Sequence, residues 1–514
     1  MHKERRWILG GLFVLVALAA GYWLLRPRTV RLTILHTGGS KGQILSKETD
    51  DGQPIGGIAF LAGAIEAVRR EVEPAAAEER SVLLLDTGDN FFGSPEAFYT
   101  QGLVNAQLMG EIGYDAMVVG NLDFLFGQGN LEALASASGF DFLAANLVQS
   151  DTGEPPLFVQ SHEVFTVSGL RIGVIGLTDP EIATKSYAKN VEGLSILPEA
   201  EAVQRALEAL VEDPVDFVVV LSHLEPVANG ALLAQFPQID LLIGKEDIED
   251  YTPHQRDLVI ENARLVGFYS QAKTRLLGRL DLTIDHRSGE VKTMQWQRIP
   301  ILHSKVVADA RILRKVTDVE SRVDRLLNTV IGEAMVDIPA DYDAESALGN
   351  LLTDIIRAAT GADIAFHNPG AIREDITAGP ITNRLNYNVN PFDNDVVDLN
   401  LTGTQIEAIL EQSLTLEKGM LQVSGLRLTY DLRLPPGQRL REVTVAGEPL
   451  QADRVYYVAT NDFLAQGGDD FVAFCESEIL QYYGSLRDIV ADYIHNNSPV
   501  QAVVEGRITD IASR

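Results

Sequence analysis

Between residues 31 and 300, six apolar runs alternate with stretches of helical period. The runs are RLTILHT, SVLLLDTGD, YDAMVVGNLD, LRIGVIGLTD, DFVVVLSHLE and IDLLIGKEDIED; the helical stretches include GIAFLAGAIEAVRREVE and EAEAVQRALEALVED. Strand-length apolar runs separated by 3.6-residue periodicity specify a layered α/β domain. Five of the six runs end in polar residues: Asp89, Asn121 with Asp123, Asp179, His223, and Glu246 with Asp247. Ligand-bearing side chains in such folds collect at the carboxyl ends of strands. The alternative is that these Asp and Asn residues only cap the helices that follow. The turn VVGNLDFLFG is unusual, because Leu122 and Leu125 stand among its polar residues.

At 514 residues the chain is too long for one compact core. A formal charge of −30 excludes a nucleic-acid backbone as a partner. One cysteine, Cys475, excludes an internal disulfide and any multi-cysteine zinc site. Residues 7–25, WILGGLFVLVALAAGYWLL, carry no charge and lie between MHKERR and RPR. That length spans a bilayer as a helix, with Trp7, Tyr22 and Trp23 at interfacial positions. An uncleaved anchor is expected, with the bulk of the chain extracytoplasmic, periplasmic or at the cell surface. A cleaved signal ending near Ala17-Leu18-Ala19 is the rival.

The stretch ILRKVTDVESRVDRLLNTVIG reads as a charged amphipathic connector without a wide apolar face. Beyond it, ESALGNLLTDIIRAAT is a helix, NPGAIR and FLAQGGDDF are Gly-rich turns, and VVEGRITDI is a closing strand. The expected divisions are an anchor over 1–30, an α/β domain over 31–305, a linker helix over 306–332 and a second domain over 333–514.

ESALGNLLTD, ADIAFHNPGAIR, LQVSGLRLTYDL and YYVATNDFLAQGGDDF, together with ILHT, LLLDTGDNFFGSP, YDAMVVGN and DLLIG, resemble the 5′-nucleotidase family in order and spacing. The resemblance implies a calcineurin-like metallophosphatase domain, a β-sandwich flanked by helices. It also implies a linker helix and a C-terminal α+β nucleotide-binding domain. It further implies a two-metal centre that generates hydroxide and polarises a phosphoester.

This chain departs from that pattern. The D-x-H of the first metal reads Gly39-Ser40-Lys41, and the closing His of GGH-x-H reads Ile248. Only the shared Asp89 remains, and Lys41 is expected to fill the vacancy with an ammonium. The second site keeps Asp89, Asn121 and His223 and places Glu246 fourth. That set suits one divalent ion, Mn²⁺, Mg²⁺ or Ca²⁺; in the alternative these residues serve only the fold. Leu122 and Leu125 stand where the family has a catalytic His and its orienting Asp, so no catalytic residue is assigned. In the second domain the resemblance gives substrate contacts to Asn368 and Arg373, base stacking to Phe463 and ribose binding to Asp469. Ala344 replaces an Arg, Ala371 replaces a Gly, and Met420 replaces the partner aromatic, with its thioether still able to pack on a base. The function expected is a membrane-anchored, catalytically impaired relative that binds a nucleotide, a nucleoside or a protein partner of unknown kind. A hydrolase using a single metal is the alternative.

Overall fold

A computed structural model describes residues 29–513 except 50–51, 73–80, 187, 246–272, 287 and 393. The expected anchor at 7–25 and the candidate ligand Glu246 lie outside the described residues. Among those described, no helix is long and apolar enough to cross a membrane. The chain forms two compact units that divide between Thr317 and Asp318.

In the first unit the apolar runs become strands of two sheets. One has six strands in the order Val291–Pro300, Leu276–Asp285, Thr29–Thr37, Val82–Asp86, Ala116–Val118 and Asp141–Leu143. The other has four: Leu241–Gly244, Phe217–Ser222, Leu170–Leu177 and His162–Val167. Leu32, Ile34, Leu83, Leu85 and Val118 of the first sheet share one buried cluster with Ile172, Val174, Val219, Leu221 and Ile243 of the second. The expected sandwich follows from that shared core. The outer face of the four-stranded sheet is closed by the helix Glu199–Glu212 through Ala202, Val203, Ala206 and Leu210. Val203 and Leu210 each contribute about 1.5–3 kcal/mol when fully withdrawn from water, and the two alanines less. Both sheets present the carboxyl ends of parallel strands, after Asp86, Val118, Leu177, Ser222 and Gly244.

The second unit is built on a five-stranded sheet, ordered Gln422–Ser424, Ile364–His367, Val455–Asn461, Asp395–Thr402 and Ile479–Ser485. The helices Ala347–Thr360 and Leu486–Asn497 cover one face and Gly403–Ser413 the other. Ser346 caps the first of these, its hydroxyl accepting from the Gly349 N–H at 2.9 Å.

The connector differs from expectation. It is a helix over Ala310–Leu327, and Ile312, Val316, Val319, Val323 and Leu327 are all buried. These positions recur at intervals of three and four, so a narrow apolar stripe packs although the composition is charged. The division between the two units falls inside this helix.

Candidate functional site

The loop after Val82–Asp86 carries Asp89 in a left-handed conformation (φ 63°), which Asp tolerates better than most residues. What holds it is Asp123, whose buried carboxylate accepts from four backbone N–H groups. These are Asp89 at 2.9 Å, Asn90 at 2.7 Å, Phe91 at 3.2 Å and Gly120 at 2.9 Å. Asp123 thus fastens the Asp89 loop to the Asn121 turn. Burial and the neighbouring Asp89 charge push its carboxyl up to about 7, against the pull of the N–H donors. Gly120 is required here by space, because a Cβ would lie 2.3 Å from Asp89 Oδ1 and 2.7 Å from His223 Cε1.

His223 follows Phe217–Ser222 and is buried against Asp89. Its Nδ1 lies 2.5 Å from the Thr87 carbonyl, which only accepts, so Nδ1 carries a proton. Its Nε2 lies 3.5 Å from Asp89 Oδ1 and has no hydrogen-bond partner. Burial opposes a charged ring, yet the Asp89 carboxylate outweighs it and raises the His223 pKa. Burial likewise opposes the Asp89 charge, but His223, the Leu122 N–H at 2.9 Å and Lys245 together hold that carboxyl low. The two side chains face each other, both buried, at 3.5 Å.

The structure brings Asp89, His223 and the Asn121 turn together. Asn121 is buried, and its Nδ2 donates to the Lys185 carbonyl at 3.3 Å. Lys41 is not the cation of this site, contrary to expectation. Its backbone N–H donates to the Asp89 carbonyl at 2.9 Å, and its half-buried side chain makes no ion pair to Asp89 among the described residues. A left-handed turn at Lys41 (φ 48°) anchors the loop through the backbone instead.

A buried ammonium that sequence reasoning passed over is Lys245, one residue past the strand Leu241–Gly244. Only 6% exposed, it places Nζ 3.1 Å from Asp179 Oδ2 and 3.5 Å from Glu225 Oε1. Lys185 Nζ reaches the same Asp179 oxygen at 3.0 Å and Glu181 at 2.9 Å. Burial would raise Asp179, but the Glu181 N–H and the two ammonium groups keep it ionised below the usual carboxylate range. The available signal was in the motif itself, where Lys245 occupies the position of the second glycine of GGH-x-H. Among the described residues, no group of three or more His, Cys, Asp and Glu is arranged to hold a metal ion. Asp89 and His223 face each other beside the Asn121 turn, and the fourth expected ligand, Glu246, lies outside the described residues.

Leu122 and Leu125 pack with Phe92, Phe98 and Phe126 in a small apolar cluster of their own. The rings of Phe92 and Phe126 are 5.4 Å apart. Dispersion and burial among these rings hold the two leucines.

In the second unit, Asn368 Nδ2 donates to Asp469 Oδ2 at 2.8 Å, and Asn368 Oδ1 accepts from Asn461 Nδ2 at 3.0 Å. Asp469 is itself left-handed (φ 54°) in the Gly-rich turn. The half-buried Phe463 ring lies over Gly468, where a Cβ would meet it at 2.5 Å. Three of the four expected nucleotide-binding residues therefore stand on one turn or bond to it. Arg373 is exposed, with Nη1 3.3 Å from the Gly370 carbonyl, so most of its fork is free.

Met420 corrects the sequence expectation. It is 1% exposed inside the core, against Ser413 Oγ at 3.6 Å, and cannot pack on a ligand. The aromatic at hand is Tyr342, 50% exposed, whose carbonyl accepts from the Met420 N–H at 2.8 Å. Its ring is 3.9 Å from the place a Gly370 Cβ would take. Lys418 pairs with Asp470 at 3.2 Å on the same side.

The 5′-nucleotidase C-terminal domain family model matches residues 328–476. The 5′-nucleotidase of Diplobatis ommata is 28% identical over 554 residues, covering 97% of this chain and 93% of that protein. The crystal structure of a 5′-nucleotidase precursor from Thermus thermophilus is similar at 28% identity and a TM-score of 0.68, covering 93% of this chain and 99% of that one. The sulfate thiohydrolase SoxB of the same organism, solved with glycerol, is similar in fold alone. Its identity is 20% and its TM-score 0.60, with 93% and 96% covered.

Proposed function

From the premise that this chain belongs to the 5′-nucleotidase family, we propose that it is a membrane-anchored, extracytoplasmic and catalytically impaired member. It retains nucleoside or nucleotide binding in its second unit. One observation carries this reading: Leu122 and Leu125 are seated with three phenylalanines where the resembled pattern has its catalytic pair. A phosphoester entering there would meet neither a proton donor nor a group to steady the transferring phosphate, contributions each worth about 10²–10⁴ in rate.

The ribose and base side fares better. Asn368 holds Asp469 by one oxygen, leaving the other for a sugar hydroxyl, while Phe463 and Tyr342 offer ring faces. A planar base gains about 1–3 kcal/mol from such stacking. Arg373 keeps a forked donor for phosphate. With the metal end changed, the nucleoside contributes more of the affinity than the phosphate.

The test is made on the purified full chain. Hydrolysis of a panel of 5′-nucleotides with Mn²⁺, Mg²⁺ or Zn²⁺ should fall orders of magnitude below an intact relative. Calorimetry should show a nucleoside binding, with Phe463→Ala or Asp469→Ala weakening it at least about tenfold, the equivalent of about 1.4 kcal/mol. Turnover at the level of an intact enzyme, lost in Asp89→Ala, would refute the impaired reading. Fractionation and N-terminal sequencing test the anchor, since a soluble form beginning near Ala20 means a cleaved signal.

The second reading, a hydrolase with one divalent ion at Asp89, Asn121, His223 and Glu246, draws on one observation. His223 Nε2 is a buried nitrogen without a hydrogen-bond partner, aimed at Asp89. Metal content per chain separates the two.

A further inference from the structure

The strands Ile364–His367 and Val455–Asn461 run parallel, pairing Ile364 with Val458 and Ala365 with Ala459. Continued two steps, that register sets His367 beside Asn461 where both strands end. The Thr460 hydroxyl pins them there by donating to the Phe366 carbonyl at 3.1 Å. Both side chains are fully buried. Which way the Asn461 amide points is decided by its surroundings. Its Oδ1 accepts from the Leu464 N–H at 2.8 Å, capping the short turn Asp462–Ala465 that carries Phe463. Its Nδ2, which can only donate, therefore faces His367 Nδ1 at 3.1 Å and Asn368 Oδ1 at 3.0 Å. With Asn368 Oδ1 engaged on that side, Asn368 Nδ2 is left to donate to Asp469 Oδ2 at 2.8 Å. Each orientation dictates the next.

We propose that Asn461, backed by His367, is the positioning residue of the nucleoside site: it sets the Asn368 amide so that Asp469 presents its free oxygen to a ribose hydroxyl. Withdrawn from solvent, neither Asn461 nor His367 touches the ligand. Asp469 depends on such a hold. Its backbone is left-handed (φ 54°), and the Asn368 amide is the one hydrogen-bond partner of its carboxylate among the described residues. A flipped Asn368 would turn its own oxygen on that carboxylate, setting two acceptors face to face. His367 enforces the order, because an imidazole that accepts at Nδ1 carries its proton on Nε2 and is neutral. One buried amide thereby ties the turn that bears the base-stacking ring to the acceptor for the sugar. This inference rests on the nucleoside reading, and two ligands that differ only in their ribose hydroxyls keep the two apart.

The experiment measures the binding of adenosine and of 2′,3′-dideoxyadenosine to the purified full chain by calorimetry. It compares wild type with Asn461→Ser, Asn461→Asp, Asp469→Asn and the double variant Asn461→Asp/Asp469→Asn. Asn461→Ser keeps a capping oxygen and removes the amide donor. Asn461→Ser and Asn461→Asp should each weaken adenosine about tenfold, the scale of one hydrogen bond to a charged group. Both should leave dideoxyadenosine unchanged, since it has no ring hydroxyl for Asp469. In Asn461→Asp the Asn368 amide flips and turns its oxygen toward position 469. An amide there donates to that oxygen and again presents an oxygen to the sugar, so the double variant should bind adenosine more tightly than either single variant. In ¹⁵N spectra of the ligand-free wild type, His367 should show a bare Nδ1 and a protonated Nε2. Equal loss of both ligands, or unchanged adenosine affinity in a folded Asn461→Ser, would overturn the positioning role and leave nucleoside binding standing. So would a wild-type His367 protonated at Nδ1. A wild type that binds neither ligand would sink the nucleoside reading itself, and the positioning role with it. If Asn461→Asp does not fold, Asn461→Ser and the wild-type spectrum still decide.

Discussion

At the scale of single residues, Asp123 and Leu125 show how one short turn serves stability on two sides. Asp123 satisfies four N–H donors at once, and no neutral residue of its size can do so. Asp123→Asn would point an amide N–H at donors and should cost about 2–4 kcal/mol by urea unfolding; a loss under about 0.5 kcal/mol would refute the clamp. Leu125 is buried among aromatic rings. Leu125→Ala should cost about 2–5 kcal/mol, and Leu125→Asp more at pH 8 than at pH 5, since a buried carboxyl is cheaper protonated. A carboxylate tolerated equally at both pH values would mean that the site is wet. The places of Asp89, His223, Leu122 and Leu125 beyond the strand ends were legible in the sequence, because the apolar runs fix where the strands stop. Lys245 and Tyr342 were not, because a long or broad side chain reaches its partners by torsions that spacing does not encode. Met420 misled for the same reason: a position in a motif does not say which face of the backbone a side chain takes.

At the scale of elements, the helix Ala310–Leu327 separates what charge does from what burial does. Its salt bridge Arg322–Asp318, at 3.1 Å, is mostly exposed on both sides. Such i,i+4 pairs contribute at most about 0.5 kcal/mol, so Arg322→Ala should leave Tm almost unchanged. Leu327, by contrast, is fully buried, and Leu327→Ala should cost about 2–5 kcal/mol. Equal effects of the two substitutions would contradict the packed stripe. The strands were readable because runs such as FVVVLS and LRIGVIGL are apolar throughout, as strands covered on both faces must be. The helix stripe was harder to see, because its apolar residues are spread among Arg, Lys, Asp and Glu. Their contribution depends on the surface they meet, which only the folded chain supplies.

At the scale of the whole molecule, each unit carries its own acid-sensitive histidine, remote in sequence from the Asp89 centre. His36, in the strand Thr29–Thr37, is buried where a Gly278 Cβ would collide with its ring at 1.9 Å. Burial, aided by Arg298, pushes its pKa down to about 3. In the second unit His367, at the end of Ile364–His367, receives the Asn461 amide at 3.1 Å, and burial takes it down to about 4. Both rings are neutral in the folded chain and titrate near 6.5 once unfolded. Between 6.5 and the folded values the unfolded chain binds more protons, so stability falls as pH falls. Between those limits each histidine gives stability a slope approaching about 1.4 kcal/mol per pH unit; its contribution is full above 6.5 and is lost progressively down to about 4 in one unit and about 3 in the other. Because the two groups sit in different units, they should act separately. His367→Gln should flatten the acid limb for the second unit and leave that of the first, with His36→Gln doing the reverse. Unfolding followed between about pH 7.5 and 5, with hydrogen exchange to assign each transition to its unit, makes the measurement. Acid limbs that respond identically to both substitutions would mean that the chain unfolds as one cooperative body and that neither histidine belongs to its unit alone.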